Sequence, residues 1–420
     1  MKTEPLVFAG VCDWAGIVRG KAFPQADAEK RLKKGVGLTH SNIMMSCFGP
    51  IYTTPFGTAG DLIIRPDPQV HVEVPFEDGT AERFYLGDIV NTDGSPWDYC
   101  PRTFLSRALE ALAKFGFTLR ASFEQEFVLT GVEGRPGATY ALDSFRRQGN
   151  FGEALIAAIR TAGFTPDSFL PEYGPRQYEA TLAPEQGVRA ADAAVVMREL
   201  ARAIAWRTGQ RAIFAPMLLS SGIGNGTHIH LSLWQDETPA TYDAGAAYCI
   251  SKQVAPFFAG VLAHLPAISA FSAPSVASYL RLTPNRWAPV FADLGVQDRG
   301  VAMRVAPVFP TSPEEPERQF NVEFRVADGS NCPHLALGAI VWAGVDGLVR
   351  NLALPAPSAE APLLPRSLEA SLGALEADQA AASWWSADAM SAYLAFKRAE
   401  IKALEGVSPE QICDRYAAVY

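Results

Sequence analysis

The chain has 420 residues, of which 48% are hydrophobic and 19% charged, and its formal net charge is −9 at pH 7. This length predicts two domains or one large domain with an appended one, and the negative charge, which no basic tract offsets, argues against nucleic acid as the main partner. No apolar run reaches the roughly 18 residues of a membrane span, and the six cysteines lack CxxC spacing; we therefore expect a cytoplasmic protein with reduced thiols, no zinc cluster and no membrane partner.

The first part of the chain, up to about residue 95, contains short runs rich in β-branched and aromatic residues, separated by Gly, Pro and Asp. The predicted strands are Leu6–Val11, Gly16–Arg19, Leu62–Arg65, Val70–Val74 and Arg83–Ile89. Asp93-Gly94-Ser95-Pro96 is a turn signal and indicates a domain boundary. We therefore divide the chain into an N-terminal domain, 1–97, and a larger domain, 98–420.

Helical spacing of apolar residues dominates the second part. Pro101 lies where a helix can begin, and Phe104–Phe115 has the matching apolar pattern. The further predicted helices are Gly152–Ala162, Ala190–Thr208, Gly245–Leu265, Leu335–Leu352, Ala387–Leu404 and Pro409–Val419.

Between these helices lie three β-like runs that each place polar residues two apart among apolar neighbours. They are Phe123–Phe127, Thr227–Leu231 and Val322–Val326. Residues i and i+2 of a strand point to the same face, so each run presents its polar pair on one side. Hiding such groups is costly unless they face a common cleft that holds ions. The pattern predicts that cleft as the site of chemistry.

The acidic candidates supply mainly hard oxygen ligands, with one imidazole. They are Glu124, Glu126, Glu172, Glu179, Glu323 and His228. This set suits Mg²⁺ or Mn²⁺ and is poorly suited to zinc. Around two ions, it would hold a polyphosphate and spread the charge of phosphoryl transfer. For Glu124 and Glu126 alone, an ordinary exposed surface pair is an equally good interpretation.

The cationic candidates are Arg281, Arg299, Arg304 and Arg325. No P-loop motif is present, so metals and arginines must hold any phosphate. Each arginine on its own is more often a surface ion-pair partner. The segment Gly222–Gly226 would let a ligand approach the backbone closely, although an ordinary loop has the same composition.

Several segments, in the same order, resemble the motifs of the glutamine synthetase superfamily from about Asp61 onward. Glu172–Glu179 resembles E-x-x-P-G-Q-x-E, Gly226–Leu233 resembles G-M-H-x-H-x-S-L, and Asp298–Arg304 resembles N-R-S-A-A-I-R. The matches to E-x-R-x-P-D, N-P-Y-L-A and A-G-x-D-G are Val322–Asp328, Pro333–Leu337 and Ala343–Gly347. The resemblance implies an α+β fold, with a β-grasp-like N-terminal domain and a catalytic domain whose curved antiparallel sheet is flanked by helices. It also implies a ring-type homo-oligomer, such as a dodecamer.

The resemblance further implies a role for each site residue, with ATP and two or more Mg²⁺ or Mn²⁺ ions as the bound groups. One ion is assigned to Glu126, Glu172 and Glu179, and another to Glu124, His228 and Glu323. The nucleotide is placed at His230 and Ser232, the transferred phosphate at Arg299 and Arg304, and the amino acid at Gly224, Arg281, Arg299 and Arg325. Arg299, Glu172 and Trp287 are the residues expected to act in catalysis.

The implied reaction has two steps. A side-chain carboxylate takes the γ-phosphoryl group of ATP and becomes an acyl phosphate, and an amine nitrogen then displaces phosphate to form an amide. Phosphorylation is needed because a carboxylate oxygen is a very poor leaving group.

Two departures from the family pattern bear on the amine. Trp287 replaces the flap glutamate of ammonia-using members, and no Asp or Glu occurs between Lys30 and Gly60, where those members carry an ammonium-binding aspartate. Without these carboxylates, ammonium binding loses its counter-charge, and an indole suits a flat or alkyl group. We therefore expect an organic amine, for example an arylamine that is neutral at pH 7. The alternatives are an acid supplied from elsewhere, or a Trp287 that only packs the flap.

Three other functions stay open. An ammonia-using glutamine synthetase is one, and a non-catalytic relative is another, although all six metal positions hold competent groups. The third is a ligase for a different carboxylate, because Arg176, Ile223 and Asn321 replace the usual glycine, asparagine and arginine. Retention of Arg281 and Arg325 favours an amino acid with an α-carboxylate, most simply glutamate.

Overall fold

The structure, a computed structural model, describes residues 3–57, 59–135, 137–309, 311–312, 315–356 and 361–420. The N-terminal part consists of β1 (Leu6–Cys12), β2 (Val18–Pro24), α1 (Ala28–Lys34), β3 (Val36–Thr39), β4 (Asp61–Pro75) and β5 (Ala81–Asn91). Its five strands form one sheet in the order β2-β1-β5-β4-β3. Neighbouring strands are antiparallel except for β1 and β5, which are parallel.

Two predictions for the N-terminal part need correction. The two runs predicted as Leu62–Arg65 and Val70–Val74 belong to one strand, β4, whose pairing with β5 shifts register between Pro66 and His71. The strand predicted at Gly16–Arg19 begins only at Val18, because Gly16 has a φ of 73° and belongs to the turn after β1.

The second part contains ten strands and eleven helices within the described residues. The strands are β6 (Thr118–Leu129), β7 (Pro166–Pro171), β8 (Gln177–Leu182), β9 (Glu185–Gln186), β10 (Ala212–Ile213), β11 (Thr227–Gln235), β12 (Thr238–Pro239), β13 (Leu294–Val296), β14 (Met303–Val305) and β15 (Val322–Phe324). The helices are α2 (Pro101–Ala113), α3 (Leu142–Thr161), α4 (Val188–Arg207), α5 (Ala255–Ala263), α6 (Leu265–Ser272), α7 (Ser278–Arg281), α8 (Glu315–Gln319), α9 (Pro333–Arg350), α10 (Leu368–Ala377), α11 (Ala387–Ala403) and α12 (Pro409–Val419).

The strands of this part form a second, curved sheet whose main path is β13-β14-β15-β11-β6-β8-β7. All pairs along it are antiparallel except β13 with β14. Helices flank the sheet, so the α+β architecture expected from the resemblance is confirmed. The boundary between 1–97 and 98–420 stays a prediction.

The buried helix α9 packs against α2 and α5. Contact with α5 is close because glycines face each other: a Cβ at Gly260 would lie 2.2 Å from the Ala343 carbonyl oxygen, and one at Gly347 would lie 2.0 Å from that of Pro256. Any larger residue at these positions would push the two helices apart. The A-G-x-D-G segment is therefore a packing element.

The helix predicted at Gly245–Leu265 is shorter in the structure. Tyr248 and Cys249 both have a φ of 56°, which an α-helix excludes, and α5 begins only at Ala255. At the other end His264 separates α5 from α6. Within the described residues no single helix is long and apolar enough to cross a membrane, and α5 with α6 reaches that composition only as a pair bent by 75°.

His264 also joins α9 to the segment after α10. Its Nδ1 lies 2.6 Å from Asp378 Oδ2 and its Nε2 lies 2.8 Å from Asp346 Oδ2. Burial lowers the pKa of His264, but the hydrogen bonds to Asp378 and Asp346 outweigh burial, so the pKa is raised above its ordinary value. A raised pKa means that the protonated imidazole stabilises the fold below the pKa of the unfolded chain, and that this stability is lost as the pH rises through the folded value.

We therefore expect His264→Gln to lower the free energy of unfolding by about 1–2 kcal/mol near pH 6 and by much less at about pH 8.5. Urea unfolding of both proteins at the two pH values measures this difference. A difference that does not change with pH would show that His264 stabilises the fold by packing alone.

Candidate active site

The three polar runs lie side by side in the sheet, as predicted, although the third is a strand only from Val322 to Phe324, so that Arg325 lies just beyond its end. β11 is the central strand and pairs with β6 on one side and β15 on the other. His228 stands opposite Glu124, and His230 stands opposite Glu323. The alternate residues of these strands point into the core, where Phe123, for example, is fully buried. The polar pairs therefore share one face of the sheet.

The first acidic group consists of Glu126, Glu172 and Glu179, whose carboxylate oxygens lie within 4.8 Å of one another. Glu179 stands opposite Glu126 in the sheet and is only 5% exposed. Burial, together with the negative charges of Glu124, Glu126 and Glu172, raises the pKa of Glu179 well above its ordinary value. Three carboxylates held this close repel one another unless a cation lies between them.

The second group is centred on Glu124, which reaches both histidines. Its Oε1 lies 2.9 Å from His228 Nδ1 and its Oε2 lies 3.1 Å from His230 Nε2. Glu323 Oε1 lies 3.3 Å from the same His228 nitrogen. Possible ligand atoms also come together as Glu124, Glu179 and His228, and as Glu124, His230 and Glu323. His230 thus lies among the acids as well as where the nucleotide was predicted.

These donors fit divalent metal ions. Burial disfavours the charged form of Glu179, and the described residues place no ammonium or guanidinium within 4 Å of Glu126, Glu172 or Glu179. Carboxylate oxygens with few nitrogens are the ligands that Mg²⁺ and Mn²⁺ prefer. Glu323 differs from the other acids, because Arg304 and Arg325 both donate hydrogen bonds to it. Its assignment to a metal therefore stays a prediction.

The four arginines occupy different positions. Arg304 is buried against Glu323 and lines neither of the clefts described below. Arg281 is buried and donates to the carbonyl oxygens of Val326 and Ala327 at 2.5 and 2.7 Å. The Nε atoms of Arg281 and Arg325 are buried without a hydrogen-bond partner among the described residues. Arg299 is exposed.

Gly224 is fixed in the wall of the site by its neighbours. A Cβ there would lie 2.6 Å from Arg281 Cγ and 2.7 Å from the Pro216 carbonyl oxygen, so only glycine fits. The carbonyl oxygen of Gly224 accepts a hydrogen bond of 2.8 Å from Gln177 Nε2, which also donates to Asn225 Oδ1 at 2.8 Å. Gln177 and Asn225 were not predicted as site residues, although Gln177 lies in the motif segment Glu172–Glu179 and Asn225 in the glycine-rich segment Gly222–Gly226.

Two clefts meet at Glu124. The inner cleft, of about 600 Å³, is lined by acids, arginines and aromatic residues: Glu124, Glu126, Tyr140, Glu172, Tyr173, Gln177, Glu179, Ile223, Gly224, His228, Arg281, Arg286, Trp287, Arg299 and Arg325. The outer cleft is larger and includes the predicted nucleotide residues His230 and Ser232. Tyr140 and Tyr173 were missed by the sequence analysis because they lie on loops without periodicity.

Family models cover nearly the whole chain. The glutamine synthetase N-terminal domain matches residues 3–97, and the glutamine synthetase catalytic domain matches residues 98–416. The "Gamma-glutamylpolyamine synthetase GlnA3" of Streptomyces coelicolor is 34% identical, over 82% of this chain and 75% of that protein. The "Glutamine synthetase" of Thermus thermophilus is 30% identical, over 83% of this chain and 78% of that protein.

Solved structures agree. A "novel glutamine synthase homolog" superposes with a TM-score of 0.95 at 39% identity, over 100% of this chain and 99% of the other. The structure described as "GmaS/ADP complex-Conformation 1" shares the fold with a TM-score of 0.83 at 24% identity, over 96% and 94% of the two chains. The chain therefore belongs to the glutamine synthetase family, and it is an ATP-dependent ligase that forms carbon–nitrogen bonds.

Proposed function

We propose that the enzyme joins an organic amine to the side-chain carboxylate of glutamate and forms a γ-glutamyl amide through an acyl phosphate. The observation that carries the proposal is the position of Trp287. Its indole lines the inner cleft beside Arg299 and the acidic groups, and its side chain is 64% exposed. A site for ammonium needs negative charge at this point, whereas an exposed indole suits a carbon-bearing amine.

Trp287 belongs to an aromatic rim that also includes Tyr140 and Tyr173. The ring centroids of Tyr173 and Trp287 are 6.1 Å apart, and Tyr140 donates a hydrogen bond of 3.0 Å to Glu172 Oε2. The three side chains are between 46% and 64% exposed, so their faces are available to a ligand. Aromatic faces attract both flat rings and cationic amines.

The rim is held by the backbone around Trp287. Asn285 and Trp287 have φ values of 66° and 56°, which are uncommon for residues other than glycine. Arg286 anchors the segment by donating to the carbonyl oxygens of Ser220 and Gly222 at 2.6 and 2.9 Å. The indole is therefore presented to the cleft by a turn that is tied to the glycine-rich segment.

Another part of the inner cleft suits an amino acid. Arg281, Arg325 and Gly224 line it together, and the guanidinium groups of the two arginines match a carboxylate. Glutamate is the simplest substrate with an α-carboxylate there and a second carboxylate to be activated. Ile223 lines the same cleft where the family often has asparagine, and this supports a second candidate, a ligase for a different carboxylate.

In the proposed reaction the triphosphate extends from the outer cleft toward Glu124, where the clefts meet. The carboxylate oxygen of glutamate forms the new P–O bond and ADP leaves; the amine nitrogen then forms the C–N bond and phosphate leaves. Arg299, exposed in the inner cleft, would stabilise the transferred phosphoryl group. Two or more divalent ions, when bound by the acidic groups, would supply further positive charge.

Among organic amines we place polyamines first. The relative from Streptomyces coelicolor is named for a γ-glutamylpolyamine, and the exposed aromatic faces of the rim can attract a cationic amine and pack against its carbon chain. Arylamines, which can stack on the rim, are the second class.

A phosphate-release assay tests the proposal. Glutamate, ATP and Mg²⁺ are combined with ammonium, alkylamines, polyamines and anilines in turn, and each product is identified by mass spectrometry. We expect the highest kcat/KM for an organic amine. If ammonium had the highest kcat/KM, the organic-amine proposal would be wrong; activity only with another acid would favour the second candidate.

Trp287→Glu is expected to shift the ratio of kcat/KM values toward ammonium by about tenfold or more, because it restores a carboxylate at the mouth of the amine site. Competition between ammonium and the best organic amine measures this ratio. Trp206→Glu is the matched control, since Trp206 is 76% exposed and lies outside the inner cleft. If the ratio were the same in the wild type, Trp287→Glu and Trp206→Glu, Trp287 would have no part in selecting the amine.

We also propose that the chain assembles into a ring-type homo-oligomer, as the resemblance implies. Ile51 and Tyr52 are exposed in the segment that lacks acidic residues, which supports a subunit contact there. Analytical ultracentrifugation of the purified protein measures the ring size, and a monomer would contradict this proposal.

A further inference from the structure

Outside the active site, three metal-competent side chains converge where the N-terminal sheet meets the catalytic domain. Cys12 ends β1, Cys332 immediately precedes α9, and His334 lies in the first turn of that helix. One ligand atom from each lies within 4.8 Å of the other two, and all three side chains are buried. The two cysteines are 320 residues apart in the chain, so cysteine spacing could not have indicated this cluster.

The orientation of His334 leaves one ring nitrogen free. Its Nε2 lies 2.9 Å from Asp192 Oδ1, and Asp192 is itself held by Arg102, whose Nε lies 3.0 Å from the same oxygen. The other nitrogen, Nδ1, is buried and has no nitrogen or oxygen partner among the described residues; the Cys12 thiol lies close to hydrogen-bonding reach of the ring. With the proton on Nε2, the lone pair of Nδ1 is directed into the cysteine cluster. A histidine fixed by a carboxylate in this way is the usual arrangement of a metal ligand.

Arg198 adds a charge argument. It is 1% exposed and donates only to the carbonyl oxygens of Gly329 and Asn331, at 2.8 and 3.1 Å. Its Nε and one terminal nitrogen have no partner, and no carboxylate of the described residues lies within 4 Å of it. Burial lowers the pKa of this guanidinium, and Cys12, Glu199 and Cys332 are near enough to oppose that shift, although Glu199 itself pairs with Arg202. A buried positive charge without a counter-ion is costly, so negative charge on the sulfurs would stabilise it.

We propose that Cys12, Cys332 and His334 bind one soft, thiophilic cation, and that copper(I) is the best match. Binding releases the two thiol protons and forms two sulfur–metal bonds and one nitrogen–metal bond. Two thiolates and one monovalent cation carry a net charge of −1, which balances Arg198. Structural zinc sites almost always have four ligands, whereas the described residues supply three here. Such a site would join the N-terminal strand to the catalytic helix.

The experiment is a titration of the purified, reduced, full-length protein with copper(I) in competition with a chromogenic copper(I) chelator, without oxygen. We expect one ion per chain and a thiolate-to-copper charge-transfer absorption in the near ultraviolet. Carboxylates give no such band, so the active site does not interfere. All measurements use a Cys249→Ser background, because Cys249 is the one cysteine that is only partly buried.

Replacing both Cys12 and Cys332 by serine is expected to abolish the band, whereas replacing Cys47 and Cys100, which are equally buried, should leave it unchanged. If the first variant does not fold, His334→Ala should still lower the copper(I) affinity at least tenfold. Persistence of the band without Cys12 and Cys332, or an unchanged affinity in His334→Ala, would overturn the site, and so would the absence of a thiolate band with both copper(I) and cobalt(II). A stoichiometric thiolate band with cobalt(II) but none with copper(I) would overturn only the choice of metal.

Discussion

Glu179→Gln is expected to abolish measurable ligase activity and, at the same time, to stabilise the metal-free fold. Glu179 is shared by two of the groups that could hold a metal ion, one with Glu126 and Glu172 and one with Glu124 and His228. An amide keeps the shape of the side chain but removes its charge. Loss of several kcal/mol of transition-state stabilisation corresponds to a decrease in kcat of about 10³-fold or more.

The gain in stability follows from the raised pKa of Glu179. Burial and the neighbouring carboxylates raise that pKa, so the protonated group contributes stability that is present below the pKa of the unfolded chain and lost as the pH rises through the folded value. The glutamine variant avoids this loss. We expect its metal-free form to be about 1 kcal/mol more stable than the wild type near pH 8, with little difference near pH 4.

The phosphate-release assay measures the activity of the variant. Urea unfolding in chelator measures the stability of the metal-free forms. Repeated with Mn²⁺ instead of chelator, it should show a larger gain in stability for the wild type than for the variant. Glu110→Gln is the control: Glu110 is exposed on α2 and should change neither quantity. An active Glu179→Gln enzyme would remove Glu179 from the metal site, and a less stable metal-free variant would contradict the repulsion among the carboxylates.

Arg299→Ala is expected to lower kcat by about 10³-fold while leaving the free energy of unfolding within about 0.5 kcal/mol of the wild type. Arg299 is exposed in the inner cleft, and no ion pair holds it within the described part of the chain. Its guanidinium is therefore free to meet an anion that arrives with ATP. If this charge acts on the transferred phosphoryl group, as proposed, the effect should fall on kcat more than on the KM for ATP.

Steady-state kinetics on Arg299→Ala and Arg299→Lys test this role, and the lysine variant should recover part of the activity. Arg350→Ala is the matched control, since Arg350 is also exposed and, among the described residues, forms an ion pair only with Asp346 on the same helix. A change in KM for ATP with an unaltered kcat would place Arg299 in nucleotide binding instead of phosphoryl transfer.

The period-two pattern of polar residues was sufficient to predict the central strands of the site. Glu124, His228 and Glu323 each have a second polar residue two positions away in a run with apolar ends, and strand geometry alone places residues two apart on one face. The structure adds their register, which no local pattern contains, and shows that β6, β11 and β15 are neighbours. Prediction worked where the physical cause was local to a few residues.

The missed features depend on contacts between distant segments. Tyr140 reaches Glu172 from a loop, and Cys12 lies close to Cys332 only because the N-terminal strand β1 packs near the start of α9. Composition also misled: the apolar stretch after Gly245 suggests one helix, but the left-handed conformations of Tyr248 and Cys249 break it. Arg304 resembles a phosphate ligand in sequence, and only its burial against Glu323 shows a different environment.

Glu124 is the only acid among the described residues that lines both clefts. One carboxylate oxygen faces His228 and the other faces His230. A cation that binds in one cleft therefore changes the electrostatic potential in the other. Thermodynamic linkage then requires that the nucleotide change the affinity for the ion in the inner cleft by the same factor as that ion changes the affinity for the nucleotide. The order in which metal ion and nucleotide are added would change how fast the two sites are occupied, but not their occupancy at equilibrium. Weak metal binding measured without nucleotide would therefore not predict the metal affinity of the nucleotide-bound enzyme.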